Sequence, residues 1–196
     1  YEIYQCDWSS DVCSSDLDLP GPDELEDGEV LVRNTWTSVD PGLRLRLRAA
    51  APDGYFAAFP LRRAMDGILT VGEVLASRAA GFAPGDTVSH SLGWREHAVV
   101  RADEAAMNGI GTLRRLDLSA AEAQWYLGPL GPMGLTAYSG LAVVDSLDGG
   151  GVLWVSAGAG AVGSLVAQIA RELGHRVIAT AGSTQKVAWL RDELGV

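Results

Sequence analysis

Gly158-Ala159-Gly160-Ala161-Val162-Gly163 constrains this chain more than any other six residues. An apolar, β-branched run at 152–156 precedes it, and a helical stretch at about 161–173 follows. Gly174 is placed to stop that helix, and a second apolar run at 176–180 comes next. Strand, turn, helix and strand in that order predict parallel strands joined by a right-handed crossover. In such a turn the first glycine allows the tight bend and the second lets backbone approach a pyrophosphate. The third permits close packing of helix on strand. The helix N-terminus then offers free N–H groups and a partial positive charge to the diphosphate. A glycine-rich turn without a ligand is the plainer alternative, but a strand before it and a helix after it favour dinucleotide binding.

Which dinucleotide is read further along. NAD sites place Asp or Glu about 20 residues on, to hold the ribose hydroxyls. Here the second strand runs into Ala179-Thr180-Ala181-Gly182-Ser183-Thr184, with no acid to repel a 2′-phosphate. Lys186, the single lysine beside fourteen arginines, follows three residues after Ser183. A hydroxyl and an ammonium just past the second strand point to a phosphate contact, and so to NADP(H).

Upstream the pattern is different. Residues 29–33, 68–76, 86–91 and 97–101 read as short strands between Gly/Pro turns, which predicts a compact β-barrel or sandwich up to about residue 115. Ser119-Ala120-Ala121-Glu122 has the form of a capping box and predicts a helix opening there. A second helix is expected at about 134–145, after the breaks Gly128-Pro129 and Gly131-Pro132. The fold class is α/β. Residues 18–120 are read as one domain and 121–196 as the first part of a nucleotide-binding domain.

The formal net charge of −10 is local: ten of the 25 acids fall in residues 1–32, leaving 15 acids against 15 bases. A neutral body carries no electrostatic footprint for nucleic acid or an anionic membrane. The uncharged stretch 149–170 holds six glycines and three polar side chains, so it does not read as a membrane span. No secretory signal is seen, and a cytoplasmic protein is the default expectation. Both cysteines, Cys6 and Cys13, precede the first strand, which excludes a disulfide framework and a cysteine-built zinc site in the body. Residues 7–17, DWSSDVCSSDL, are polar and turn-rich with no hydrophobic period. They resemble a translated sequencing adapter, with a disordered acidic tail as the rival reading. Residues 1–17 are therefore set aside from fold reasoning. Both ends of the frame look cut.

Taken together, VSAGAGAVGS, AGSTQKVAWLRDELG, LGPLGPMGLTAY, GWREHAVV and VDPGLRLRL resemble the zinc-independent medium-chain dehydrogenase/reductases, on the prostaglandin reductase and alkenal double-bond reductase branch. The resemblance covers most of residues 25–196. It implies a GroES-like β-barrel catalytic domain, a Rossmann NADPH domain of which the first half is present, and a substrate cleft between them. It also implies a homodimer, and hydride transfer from NADPH to the β-carbon of an α,β-unsaturated aldehyde or ketone.

Residue by residue, Gly158, Gly160, Ala161, Val162 and Gly163 match the diphosphate turn, and Ser183 and Lys186 the 2′-phosphate contacts. Thr136 and Met133 match positions near the nicotinamide, although Gly131-Pro132-Met133-Gly134 reverses the family's middle pair. Asp40 and Arg44 match residues lining the substrate cleft, while Gly42 stands where the family has a tyrosine, so an aromatic wall is lost. The family's proton-donating tyrosine would lie beyond Val196; Tyr138 is the nearest candidate by motif, with helix packing as its plainer role. An enolate must nonetheless be stabilised and a proton delivered.

His90, His97 and His175 are too scattered for a metal set and are expected at a barrel edge or on the surface. Arg44, Arg46 and Arg48 are read as the charged face of an extended segment, and Asp86 as turn chemistry. Two other functions remain open: an NADPH quinone reductase of the same superfamily, and a non-catalytic NADP(H)-binding module. The 196 residues alone are expected to be a poor enzyme, exposing the open edge of an incomplete parallel sheet.

Overall fold

The computed structural model describes residues 19–50, 53–106, 109–144, 148 and 150–196; the adapter-like segment lies outside them. The chain divides into two compact units, one ending at Gln124 and the other beginning at Trp125.

The first unit is built on antiparallel strands. β1 (Glu29–Thr37) pairs with β2 (Thr70–Ser77) on one side and β4 (His97–Arg101) on the other. β3 (Thr87–His90) joins β2, and β5 (Arg114–Arg115) joins β3, giving the order β4-β1-β2-β3-β5. The β-branched alternation of β1 and β4 explains the main core: Val30, Val32, Val74, Val88, Ala98, Val100 and Leu113 pack together on one face.

A register shift between Leu31 and Val32 leaves Leu75 without a partner in β1. This bulge turns Leu75 and Ala76 to the opposite face, where they pack with Leu25 and Leu31. Each fully buried valine contributes about 1.5–3 kcal/mol, against about 1 kcal/mol or less for an exposed pair such as Arg33–Glu73. Burial, not ion pairing, holds this sheet.

Two expectations fail here. Arg44 and Arg46 do not lie on an extended segment: the chain turns at Pro41-Gly42 into α1 (Leu43–Arg46), a single helical turn that buries Leu43. No α-helix opens at Ser119 either. The Asp117 carboxylate accepts both the N–H and the hydroxyl of Ser119, closing a local turn. With Gly128-Pro129 close behind, only a short 3-10 segment, Ala123–Leu127, forms before the break.

That segment spans the division, and the second unit continues with α2 (Pro132–Val143), whose first residue is the proline expected at a helix start. β6 (Gly151–Val155), α3 (Ala161–Glu172), β7 (His175–Ala179) and α4 (Thr184–Asp192) follow. β6 and β7 are parallel, with Val155 opposite Ala179. Gly174 ends α3 at φ +84°, the left-handed conformation that favours glycine. α3 packs on both strands and against α2. Among the described residues, no helix is long and apolar enough to cross a membrane.

Candidate functional site

The two turns that leave the carboxyl ends of β6 and β7 are bonded to each other. Gly158 N–H donates to Thr180 O at 2.8 Å, and Thr180 N–H donates back to Val155 O at 3.0 Å. Gly158 is buried against the second strand: a Cβ there would stand 2.7 Å from that of Ala179. Only glycine lets the first turn lie this close to β7. Ala157 takes φ +50°, and Gly160 N–H closes the bend on Ala157 O at 2.8 Å. Gly163 lies against the Ala157 carbonyl, in space that a side chain would fill.

Gly160 is exposed and caps α3, with no side chain closing the helix end. The first N–H bonded within the helix is that of Ser164, to Gly160 O at 2.9 Å. The N–H groups of Ala161, Val162 and Gly163 therefore make no bond among the described residues, as expected of a helix N-terminus that can receive an anion.

Ser183 caps α4, its Oγ accepting from Lys186 N–H at 3.3 Å. That use leaves the hydroxyl hydrogen available to a second acceptor. Lys186 is exposed and has no ion-pair partner among the described residues. The structure thus gathers Gly158, Gly160, Ala161, Val162, Gly163, Ser183 and Lys186 at one end of a parallel strand pair, where open α/β sheets take their ligands.

The other expected site residues lie elsewhere. Met133 and Thr136 occupy the first turns of α2, and the Thr136 hydroxyl donates to Pro132 O at 2.7 Å. Gly131 and Gly134 are tighter than their sequence suggests: a Cβ on either would run into the backbone carbonyl of Tyr126 or Pro129. Tyr138 is 55% exposed on α2. Asp40 and Arg44 belong to the first unit. The Asp40 carboxylate accepts from Ser38 Oγ at 2.5 Å, and Arg44 is exposed on α1.

His90 corrects another expectation, since it is buried rather than at an edge or on the surface. Its Nδ1 accepts Leu92 N–H at 3.1 Å, which leaves Nε2–H to donate to Asn34 Oδ1 at 2.9 Å. Asn34 in turn donates to Leu92 O and Arg95 O at 2.9 and 2.8 Å. Burial, with the nearby Arg95 cation adding to it, lowers the His90 pKa to about 4, so the ring is neutral. Sequence reasoning passed over Asn34, although a lone amide inside the β-branched run of β1 is a signal for such a bridge. Asp86 is the turn residue expected, accepting Ala83 N–H at 2.8 Å.

Comparison with known proteins adds the family. Residues 12–107 match a family described as the N-terminal domain of oxidoreductase. Prostaglandin reductase 1 of Bos taurus is 35% identical over 93% of this chain and 50% of its own length. The NADP(+)-dependent 2-alkenal reductase of Nicotiana tabacum is 35% identical over 85% of this chain and 46% of its own. YfmJ of Bacillus subtilis, assigned by inference to the NADP-dependent oxidoreductases, is 41% identical over 90% and 48%. These matches support a likeness to the zinc-independent medium-chain dehydrogenase/reductases, on their prostaglandin and alkenal reductase branch.

In structure, this chain matches CurA of Vibrio vulnificus, solved in complex with NADPH, with a TM-score of 0.73 and 34% identity. That match covers 91% of this chain and 49% of CurA. The antiparallel sheet is accordingly of the GroES-like kind, and the parallel pair is the opening of a Rossmann sheet. The chain spans about half the length of the curated relatives it matches.

Proposed function

We propose that this chain carries the coenzyme turn and the substrate-side domain of an NADPH-dependent reductase acting on the carbon–carbon double bond of α,β-unsaturated aldehydes or ketones. The observation that carries the reading is the bonded pair of turns beyond β6 and β7. Among the described residues, one turn presents unbonded helix N–H groups, and the other a serine hydroxyl and an ammonium without an ion-pair partner. The names of the relatives, prostaglandin reductase and NADP(+)-dependent 2-alkenal reductase, support the coenzyme and the substrate class.

In this reading Gly160 and the N–H groups of Ala161, Val162 and Gly163 receive the diphosphate, and Gly158 keeps the turn against β7. Ser183 and Lys186 receive the 2′-phosphate, which a carboxylate at their position would repel. Met133 and Thr136 are assigned beside the nicotinamide, and Asp40 and Arg44 to the substrate lining. Bound NADPH would supply the hydride; the chain's own work is to hold and orient.

The test is a coenzyme titration of the 196-residue chain and its Lys186→Ala variant. NADPH binding should fall about tenfold or more, from loss of a charge-assisted phosphate contact, with NADH binding unchanged. Equal losses for both coenzymes would remove the phosphate assignment. For the substrate class, a protein of the relatives' length bearing this segment should oxidise NADPH faster with 2-alkenals than with quinones. The reverse order would make it a quinone reductase.

A further inference from the structure

The first unit holds a cavity of about 490 Å³, lined by Arg46, Phe56, Ala57, Asp66, Ser91 and Leu92 among others. That volume lies within the range of about 300–1,000 Å³ typical of small-molecule pockets. Both walls are fastened. On one side, residues 55–59 are tied to α1: Phe59 N–H donates to Arg46 O, and Arg46 Nε–H to Ala57 O, each at 2.9 Å. The Tyr55 hydroxyl occupies the space that a Cβ on Gly42 would need, and its ring meets Phe56 edge-on at 5.5 Å. On the other side, Arg95 pairs with Asp66 at 2.6 Å and holds Gly93 O, while Gly67 N–H bonds to Ser91 O at 2.8 Å.

The two charges on these walls are not equivalent. The Asp66 carboxylate is already neutralised by Arg95. Arg46 has no carboxylate within ion-pair distance among the described residues. Its guanidinium lies over the Phe59 ring, 3.9 Å from the centroid, and its Nε is spent on Ala57 O. The ring contact and the Nε bond hold the guanidinium in place, and neither spends its two terminal nitrogens. That fork matches a carboxylate in two parallel hydrogen bonds. Phe56, Ala57 and Leu92 supply apolar surface beside it.

We propose that this cavity binds the carboxylate of a small organic acid, Arg46 taking the two oxygens while Phe56 and Leu92 cover the hydrocarbon part. All its residues lie in the first unit, so the inference stands or falls apart from the coenzyme reading. The test titrates the 196-residue chain with hexanoate, hexanamide and inorganic phosphate, followed by amide NMR shifts. The buried neutral ring of His90 reports that the unit is folded.

Hexanoate should saturate with shifts at Phe56, Ser91 and Leu92. Hexanamide, of the same shape without the charge, should bind about tenfold more weakly or less tightly still. Arg46→Gln should lose about tenfold or more in hexanoate affinity, and Arg46→Lys, which keeps the charge without the fork, should fall between. No binding of hexanoate, hexanamide or phosphate binding as well as hexanoate, or an Arg46→Gln variant binding as tightly as the parent would each overturn the proposal. The comparison of hexanoate with hexanamide needs no variant, so it decides the matter even if Arg46→Gln fails to fold.

Discussion

His90 shows how one side chain can tie stability to pH. It is buried, neutral, and bonded through both ring nitrogens, with its pKa lowered to about 4 by burial and by Arg95. In the unfolded chain the ring takes a proton near pH 6.5. Between those values the unfolded state binds more protons than the native state, so stability rises with pH across the window. The contribution is complete above about 6.5 and is lost as pH falls towards 4, amounting to about 3 kcal/mol at most. Asp117 and Asp192 are held below the usual carboxylate range by Ser119 and Arg191, so their losses come at lower pH. Urea unfolding of the chain should therefore show a marked drop in stability between pH 6.5 and 4.5. His90→Gln, weaker at neutral pH, should flatten that slope. An unchanged slope in the variant would mean that the ring is not the titrating group.

At the scale of elements, much of the second unit was legible because its signals are local and agree. An apolar run, a glycine turn, a helix ending at Gly174 and a second apolar run require no knowledge of distant contacts. β6, α3 and β7 follow as Gly151–Val155, Ala161–Glu172 and His175–Ala179, each shifted by only one residue from its expected bounds. The failures came in the first unit, where one expected helix did not form and one unexpected helical turn did. At Ser119 the pattern was that of a capping box, but Asp117 reaches the same N–H first. At Arg44 and Arg46 the leucine alternation mimicked an extended segment, while Pro41-Gly42 started a helical turn. The bond from Gly158 to Thr180 was out of reach altogether, since it joins turns from separate strands.

That bond and the closeness behind it make a prediction about the turn itself. Gly158→Ala puts a methyl 2.7 Å from the Ala179 Cβ, and neither atom ends a flexible side chain. The strand pair must give, at a cost of about 1–3 kcal/mol. Gly182→Ala has nothing within 4 Å of its new Cβ and should be neutral or slightly stabilising. Thermal melts of the two variants should separate clearly. Equal melts would mean that β6 and β7 do not meet as described.

For the whole molecule, the deciding feature is that the described residues cover the parallel sheet on one face. Parallel strands are normally buried on both. α3 packs on β6 and β7, yet Val152, Trp154 and Ile178 remain 64%, 70% and 46% exposed, with Trp154 opposite Ile178. Burying a side chain of this size contributes about 1.5–3 kcal/mol, so the pair drives association wherever an apolar surface is offered. The relatives are about twice as long and have further chain for such cover. The 196-residue chain on its own should then self-associate with rising concentration in sedimentation runs. Trp154→Lys together with Ile178→Lys should weaken that association by about tenfold or more, each charge replacing apolar area on the same face. If the double variant sediments as the parent does, association runs through another surface, and the exposed pair is not what holds the copies together.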